Sequence, residues 1–572
     1  MPALGQDTPE SLLPPGFDDP APTPAPAPGP APAPSRAAQP IAPVEGVELP
    51  ADTALGNVAE GAPVEAVAID LSRYELPEFA RHSLDRVGAV AAGNAAFPAD
   101  SFGDSDGRFL QVLMRRMDAP IASRWASIVL RRALMSPLDT PAGVNGADFA
   151  ADRAWALLRM GEANAARAVI EDVDTDNYTG WLYQVAMQAA LASGDPAMLC
   201  PIADKGAAAT PQRGWALAQA MCMGLAGKPN EAGQLFNRAR SGTSPSDIDN
   251  LLAEKVLGTG AQGRRAVTIE WNPVSQLTAW RWGLATATGV EVPADLYQTA
   301  GPQVRYWQAL APNLDATARA SAAELAATAG VFSSAGLVDL YSEIEQSGDT
   351  GGGLAVARDL RTAYTDGDVG NRIKALQTLW DGVSTPRTRY ARLILTARAA
   401  SWIPAGDKVE EADRLIQSML SSGYEAAALE WRGVVKRGSE GWALLALADP
   451  GGSSIASGDV AGFADSGSRR KAQMLLAGLA GLGKLSAGEA QNAASALDVQ
   501  IGGVNAWTQA IDAAGQRGDA ATVALLAGVG MQSLSWDYVA PEALFHIVAA
   551  MRAAGMGNYA RMIAVEAVTR AA

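Results

Sequence analysis

Few residues in this sequence have types and spacings that could support chemistry. The strongest match is EKVLGTGAQGRRAV, in which Gly258, Gly260 and Gly263 form the G-x-G-x-x-G pattern of dinucleotide-binding turns. Such a turn needs a strand before its first glycine and a helix N-terminus after its third, where free N–H groups bind the pyrophosphate. Here a helical pattern precedes Gly258, and the charged, then β-like, RRAVTIEW follows Gly263. Because this order is inverted, we expect no cofactor at these glycines.

The other candidates for catalysis are equally weak. Asp349-Thr350-Gly351 is the D-T-G triplet of aspartic proteases, but it lies between helical patterns and is interpreted as a linker. His82 and His546 are the two histidines, and they are too far apart along the chain to suggest a shared metal site or a triad. The sequence therefore predicts no enzyme: it indicates no catalytic, cofactor-binding or metal-ligating residue.

Composition and charge limit the classes of partner. Hydrophobic residues make up 48% of the 572 residues and aromatic residues only 6%, so much of the apolar content is alanine, a strong helix former. The net charge of −16 argues against a nucleic-acid partner. An arginine cluster is interpreted as a solvated helix face, with an anion site as the alternative; it comprises Arg115, Arg116, Arg124, Arg131 and Arg132. The longest uncharged span, 520–536, is diluted by glycine and polar residues, so we expect no integral membrane protein.

The N-terminal segment indicates a tether. Residues 20–34, PAPTPAPAPGPAPAP, must form polyproline II, and the acidic, aromatic-poor stretch beyond them cannot bury enough surface to order itself. We therefore predict a disordered region at 1–70. Ala3-Leu4-Gly5 has the small-x-small form of a signal-peptidase site, so residues 1–6 are interpreted as the remnant of a signal peptide that begins upstream. A disordered cytoplasmic terminus is the alternative.

The two cysteines also bear on the compartment. Cys200 and Cys222 lie on predicted helices joined by the GAAATPQRG turn, and folding these helices antiparallel brings the two thiols within bridging range. A disulfide would add roughly 3 kcal/mol of stability in the chain-entropy model and would suit an oxidising compartment. Two buried free thiols in a cytosolic protein remain the alternative.

A helical repeat runs through the rest of the chain. Apolar helices end at Gly161, Gly194, Gly227 and Gly260, each 33 residues after the last, and a second helix starts after each of the first three. The same arrangement recurs at looser spacing, at Gly367, Gly406, Gly438, Gly483, Gly518 and Gly557. Trp155, Trp181 and Trp215 precede the regular glycines and are expected to fill the core. Of the neighbours Trp280 and Trp282, one ring is expected to line a groove.

This architecture resembles tetratricopeptide and Sel1-like repeat proteins, in whose helix pairs small residues such as Ala163, Ala165 and Ala166 allow close approach. The resemblance implies an all-α fold: a right-handed α-solenoid of antiparallel helix pairs, about 33–40 residues per unit. We expect an N-terminal helical cap at 71–148, regular pairs at 149–300 and more divergent repeats at 301–572. The tyrosine, glycine and closing proline of the tetratricopeptide consensus do not recur together in any unit.

Three hypotheses of function follow. The first is a non-enzymatic scaffold or adaptor in the periplasm of a Gram-negative bacterium, which binds protein partners of the cell envelope. The second is the helical superhelix of a cell-wall enzyme system similar to lytic transglycosylases. The third is a cytosolic peptide-binding adaptor, which differs from the first in compartment and in the redox state of the cysteines.

Overall fold

The structure is a computed structural model of residues 1–572. It describes residues 77, 80–90, 96–118, 120–244, 246–260, 267–348, 351–406, 409–451, 455–466 and 468–571. The chain divides into two compact units, Pro20–Arg81 and the remainder, Met1–Asp19 with His82–Ala572. In the first unit the described residues form one turn, in which the Ala80 N–H donates to the Pro77 carbonyl at 2.8 Å. The segment predicted to be disordered, 1–70, lies outside the described residues.

The second unit is helical, which confirms the all-α fold class. Two short strands pair antiparallel, β1 (Arg86–Val87) with β2 (Leu138–Asp139). The helices of the first half are α1 (Gly107–Arg116), α2 (Arg124–Met135), α3 (Gly146–Arg159), α4 (Ala163–Glu171), α5 (Gly180–Ala192), α6 (Ala203–Ala209), α7 (Arg213–Leu225), α8 (Pro229–Ala239), α9 (Ile248–Gly260), α10 (Ala279–Ala287), α11 (Gln303–Leu310), α12 (Ala316–Thr328) and α13 (Ser334–Ser347).

The second half continues in the same way. Its helices are α14 (Gly353–Thr365), α15 (Val369–Asp381), α16 (Pro386–Ala400), α17 (Ala412–Ser421), α18 (Glu425–Leu429), α19 (Glu440–Ala448), α20 (Ser457–Ser466), α21 (Arg469–Gly481), α22 (Ala487–Leu497), α23 (Ala506–Arg517), α24 (Ala520–Gly530), α25 (Pro541–Ala553) and α26 (Gly557–Arg570). Short 3-10 segments lie at Thr175–Asn177, Pro196–Ile202, Leu296–Thr299, Glu430–Gly433 and Trp536–Tyr538. None of the described helices has the length and apolarity needed to span a membrane.

The turns between helices repeat one geometry. Gly161, Gly194 and Gly227 have φ of 87°, 64° and 75°, a region that glycine enters without strain. In each turn the glycine N–H donates to the carbonyl three residues earlier, and the N–H of the next residue donates to the carbonyl five residues before it. This is the Schellman arrangement, which satisfies the last carbonyls of the helix. Of the more widely spaced glycines, Gly438, Gly483 and Gly518 also have positive φ.

Gly260 departs from this series. It is the last residue of α9, and a Cβ added to it would lie 2.0 Å from the Gly224 carbonyl oxygen in α7. Because Gly260 has no side chain, α9 and α7 can approach each other closely at this point. Gly260 is not among the described glycines with positive φ. α9 ends at Gly260 as expected, but this residue does not adopt the left-handed conformation of the first three turns.

Helix α2 packs against α3, α4, α24 and α26, and its N-terminus is capped from the far end of the chain. Glu566 of α26 accepts hydrogen bonds from the Arg124 N–H at 2.8 Å, the Trp125 N–H at 3.2 Å and the Ser123 hydroxyl at 2.6 Å. Arg570 donates to the same carboxylate at 2.7 Å and to the Ala122 carbonyl at 2.8 Å. A buried carboxylate thus satisfies free N–H groups at a helix N-terminus, where negative charge is favoured.

Two arginines tie the rest of α2 to the middle of the chain. The buried Arg124 guanidinium donates to the carbonyls of Ala327 and Phe332 at the end of α12. Arg131 donates to Glu162 at 2.6 Å and to the Gly330 carbonyl at 2.8 Å. α2 therefore links segments that are hundreds of residues apart in sequence.

The segment before α2 also meets the C-terminal helices. The Ala521 N–H donates to the Ser101 carbonyl at 2.9 Å, and the Ala122 N–H donates to the Met531 carbonyl at 2.8 Å. In a linear solenoid each repeat contacts only its neighbours. Here the two ends of the helical region contact each other, which the repeat pattern did not predict.

Tryptophans fill much of the core, as expected for Trp155 and Trp215, which are buried, while Trp181 packs edge-on against Trp155. Trp280 and Trp282 are both fully buried, so the groove-lining interpretation is wrong. Their helix, α10, packs against both α5 and α9, and apolar neighbours therefore cover more than one of its faces.

Gly283 offers a test of the close helix packing. A Cβ there would lie 2.4 Å from the Leu191 carbonyl oxygen, so we expect Gly283→Ala to force α5 and α10 apart and to destabilise the protein by about 1–3 kcal/mol. Gly462 is the matched control, because it is helical with no atom near its would-be Cβ. Gly462→Ala should leave the melting temperature unchanged or raise it. Equal melting temperatures for the two variants would contradict this packing.

Glu162 predicts a pH-dependent stability. Burial raises the pKa of its carboxyl from 4.5 to about 7, while the Arg131 charge acts in the opposite direction. The folded state therefore binds this proton more tightly than the unfolded state does, and the resulting stabilisation is full below about pH 4.5 and lost as the pH rises through about 7. We expect the unfolding free energy of the wild type relative to Glu162→Gln to fall by on the order of 3 kcal/mol between about pH 4 and pH 8. Denaturant unfolding across this range checks it, with the exposed Glu291→Gln as control. Parallel pH profiles for the wild type and Glu162→Gln would exclude it.

Candidate binding cleft

The two cysteines form a disulfide. Cys200, in the 3-10 segment 196–202, and Cys222, in α7, have Cα atoms 5.3 Å apart. A short helix, α6, lies between them in sequence, so the bridge joins a 3-10 turn to a helix rather than two consecutive α-helices. No free cysteine is present among the described residues.

Only some of the motif residues lie in the part of the chain that the structure describes. Gly258 and Gly260 lie inside α9, so the helix expected before the glycine motif is present, and Gly263 lies outside the described residues. Asp349 and Thr350 are also outside them, while Gly351 just precedes α14. Another triplet, D-S-G, begins at Asp465 near the end of α20 and so lacks the strand-flanked loop of a protease.

Each histidine lies within hydrogen-bond distance of an aspartate. His82 Nδ1 lies 3.0 Å from Asp174 Oδ1, and His546 Nδ1 lies 2.9 Å from Asp512 Oδ2. Across the described part of the chain, no group of three or more His, Cys, Asp or Glu side chains is arranged to hold a metal ion.

The arginine cluster is solvated only in part: Arg116 and Arg132 are exposed, whereas the other three side chains are partly or fully buried. Arg124 is buried, Arg131 pairs with Glu162, and Arg115 donates to Asp152 at 2.7 Å. Arg132 is exposed and donates to the Tyr559 hydroxyl. Arg115 lies on α1, and Arg124 and Arg131 lie on α2; each donates to carbonyls or carboxylates of segments that are distant in sequence, so its partners depend on tertiary contacts.

A large open cavity lies where the two ends of the helical region meet. Its volume is about 620 Å³, within the range of ligand pockets. Three helix-ending glycines line it, Gly423, Gly518 and Gly555, with φ of 81°, 83° and 81°. The turns α17–α18, α23–α24 and α25–α26 thus converge on one space, with α2 beside them.

Apolar residues contribute more of the lining of this cavity than polar residues do. Trp125 of α2 and two methionines, Met556 and Met562, contribute to the lining. Arg132 lies 5.7 Å from the centre of the Tyr559 ring, which fixes both side chains at the rim. Glu425 accepts from Arg561 at 3.3 Å and is therefore held in place as well.

A second cavity of about 560 Å³ adjoins the first, and Asp100 and Gly518 line both. Its polar lining is mostly acidic: Asp100, Asp104, Asp139 and Asp519, with Arg517. Asp519 accepts from Arg517 at 2.7 Å, and Asp139 accepts from Arg86 at 2.7 Å. We name the two cavities together the junction cleft, with an apolar and an acidic half.

The lining of the junction cleft is assembled from segments that are distant in sequence. Ser101, the one serine among the described lining residues, is buried and donates its hydroxyl to the Pro98 carbonyl at 2.6 Å; these described residues include no histidine or cysteine. The lining comes from segments around residues 100, 130, 423, 518 and 556, so no local spacing reveals it. Two of the lining residues are singled out by the sequence: Gly518 as a turn glycine and Arg132 as a member of the arginine cluster.

No model of a known protein family matches the chain, and no curated protein matches it.

The disulfide can be tested by replacing both cysteines. We expect Cys200→Ser with Cys222→Ser to cost about 3 kcal/mol, because the bridge closes a loop of 22 residues in the unfolded chain. Reductant should lower the melting temperature of the wild type toward that of the double variant and leave the variant unchanged. Two titratable thiols in unreduced, denatured wild-type protein would contradict the bridge.

Proposed function

We propose that this protein is a non-enzymatic scaffold or adaptor that works in the periplasm and binds protein partners of the bacterial cell envelope. The observation that carries the proposal is the junction cleft: a large, open space with a fixed lining and without a paired nucleophile and base. A cleft built on converging helix turns presents a preformed surface, which lowers the entropic cost of binding.

The proposed architecture is a right-handed α-solenoid of antiparallel helix pairs, related to tetratricopeptide and Sel1-like repeats. The three identical turns at Gly161, Gly194 and Gly227, spaced 33 residues apart, support it. Contacts between the two ends of the region make this a modified solenoid, in which binding occurs at the junction as well as along the repeats.

The disulfide is compatible with a periplasmic location. Disulfides persist in oxidising compartments and are rare in the cytosol, where thiols are kept reduced. Of the alternatives, the cytosolic adaptor therefore has less support than the periplasmic one.

The proposal predicts specific capture of envelope proteins. Tagged protein, crosslinked in cells and purified from envelope extracts, should recover the same partner reproducibly. Ala554→Trp, which places a bulky side chain at a residue lining the cleft, should reduce recovery several-fold, whereas Gly462→Ala should not. Quantitative mass spectrometry of the captured proteins gives the measurement.

Two results would overturn the proposal. Capture of no partner, together with cleavage of purified peptidoglycan by the protein, would favour the cell-wall enzyme system. Reduced cysteines in protein alkylated inside intact cells would favour a cytosolic adaptor.

A further inference from the structure

We propose that the junction cleft binds an extended peptide segment of the partner in which a lysine or arginine lies beside a bulky apolar residue. This inference rests on the proposed function and names the chemistry of its partner. It follows from the two halves of the cleft, which differ in character and meet at Asp100.

The lining of the apolar half suits an apolar side chain of the partner. The Trp125 ring packs against Gly423, where a Cβ would lie 3.1 Å from the ring, so the ring is held in position. Met556 and Met562 are buried in the same lining and can adapt to different apolar shapes. Leucine, phenylalanine or methionine of a partner would bury its surface here at roughly 25 cal/mol per Å².

The acidic half requires a cation. Asp139 and Asp519 already have arginine partners, but Asp100 and Asp104 are exposed and form no ion pair with another described residue. Among the described residues that line this half, carboxylates therefore outnumber cations, with four aspartates to one arginine, Arg517. A phosphate or an acidic lipid headgroup would be repelled, whereas a lysine or arginine would be attracted.

An extended peptide fits the arrangement of the two halves. Asp100 and Gly518 line both cavities, so one ligand can reach both. Along an extended chain, adjacent side chains point to opposite sides at a rise of about 3.3 Å per residue. Neighbouring apolar and cationic residues can therefore enter the two halves while the peptide backbone crosses between them.

The cleft is also preformed. The Ala521 N–H donates to the Ser101 carbonyl, and the Thr522 hydroxyl donates to the Phe102 carbonyl at 3.0 Å. These bonds hold the loop that carries Asp100 and Asp104 against α24. Little ordering is then needed on binding.

Fluorescence anisotropy with defined peptides tests the inference. The probe is a fluorescein-labelled peptide of about ten residues that repeats Lys-Leu-Lys-Phe; one control peptide has Glu for every Lys, and another has Ser for Leu and Phe. We expect Asp100→Asn with Asp104→Asn to weaken binding of the probe about tenfold, and higher salt to reduce that difference. Ala554→Trp should weaken it by at least a similar factor.

The matched control removes two other charges. Glu291→Gln with Asp339→Asn replaces exposed carboxylates outside the cleft and should change the affinity less than about twofold. All four altered carboxylates are exposed, so unchanged melting temperatures should show that each variant folds. An equal effect of the two double variants would show that the probe responds only to the net charge of −16 and would overturn the inference.

The peptide measurement and the capture experiment test different proposals, so a negative result in one can be distinguished from a negative result in the other. If the envelope partner is recovered equally by the wild type, Ala554→Trp and the Asp100/Asp104 variant, the cleft inference is wrong and the scaffold function stands. Tight binding of the Glu-for-Lys or Ser-substituted peptide would likewise overturn the peptide chemistry proposed here. If the wild type captures no partner, the scaffold function itself fails.

Discussion

The carboxylate of Glu566 at the N-terminus of α2 is the interaction on which the rest of the structure depends. It accepts from two backbone N–H groups and the Ser123 hydroxyl, and Arg570 balances its charge. A buried carboxylate is stable only when its hydrogen bonds and its charge are both satisfied, and removing one partner of such a group is far more costly than removing an exposed ion pair. α2 and α26 are therefore held together by hydrogen bonds as well as by apolar packing.

This link has consequences for folding and for the cleft. Because the cap of α2 comes from 442 residues further along the chain, α2 cannot reach its final environment until α26 has been made. Contacts of such sequence separation close large loops and generally slow folding. The same closure brings the turn at Gly518 next to the loop at Asp100, and these two residues form the join between the halves of the cleft. A linear array of the same helices would keep the two apart.

The sequence was sufficient for features that depend on neighbours along the chain. Alanine-rich periodic segments and turn glycines such as Gly161 indicate the helices, and the structure adds N-caps such as Ser123 and Asn145. It was insufficient where a residue's role depends on distant contacts. Arg124 looks like part of a basic surface because nothing near it in sequence reveals the carbonyls of Ala327 and Phe332 that it reaches. The cleft was missed for the same reason, since its lining is drawn from segments across the chain.

Glycine shows most clearly what the sequence cannot distinguish, because the same residue type serves two different structural purposes. At Gly161, Gly194 and Gly227 it allows the left-handed turn, while at Gly260, Gly283 and Gly515 it allows one backbone to approach another. Gly515 lies against the Ala550 backbone, with 2.7 Å between a would-be Cβ and the Ala550 Cα, and the turn at Gly518 follows three residues later. The two roles occur close together here. The close approach at Gly515 allows α23 to pack on α25, and the turn at Gly518 reverses the chain direction beside Asp100. The position of the cleft therefore depends on two glycines with different physical roles, and a side chain at either would alter the cleft by a different route: one by separating helices, the other by straining the turn.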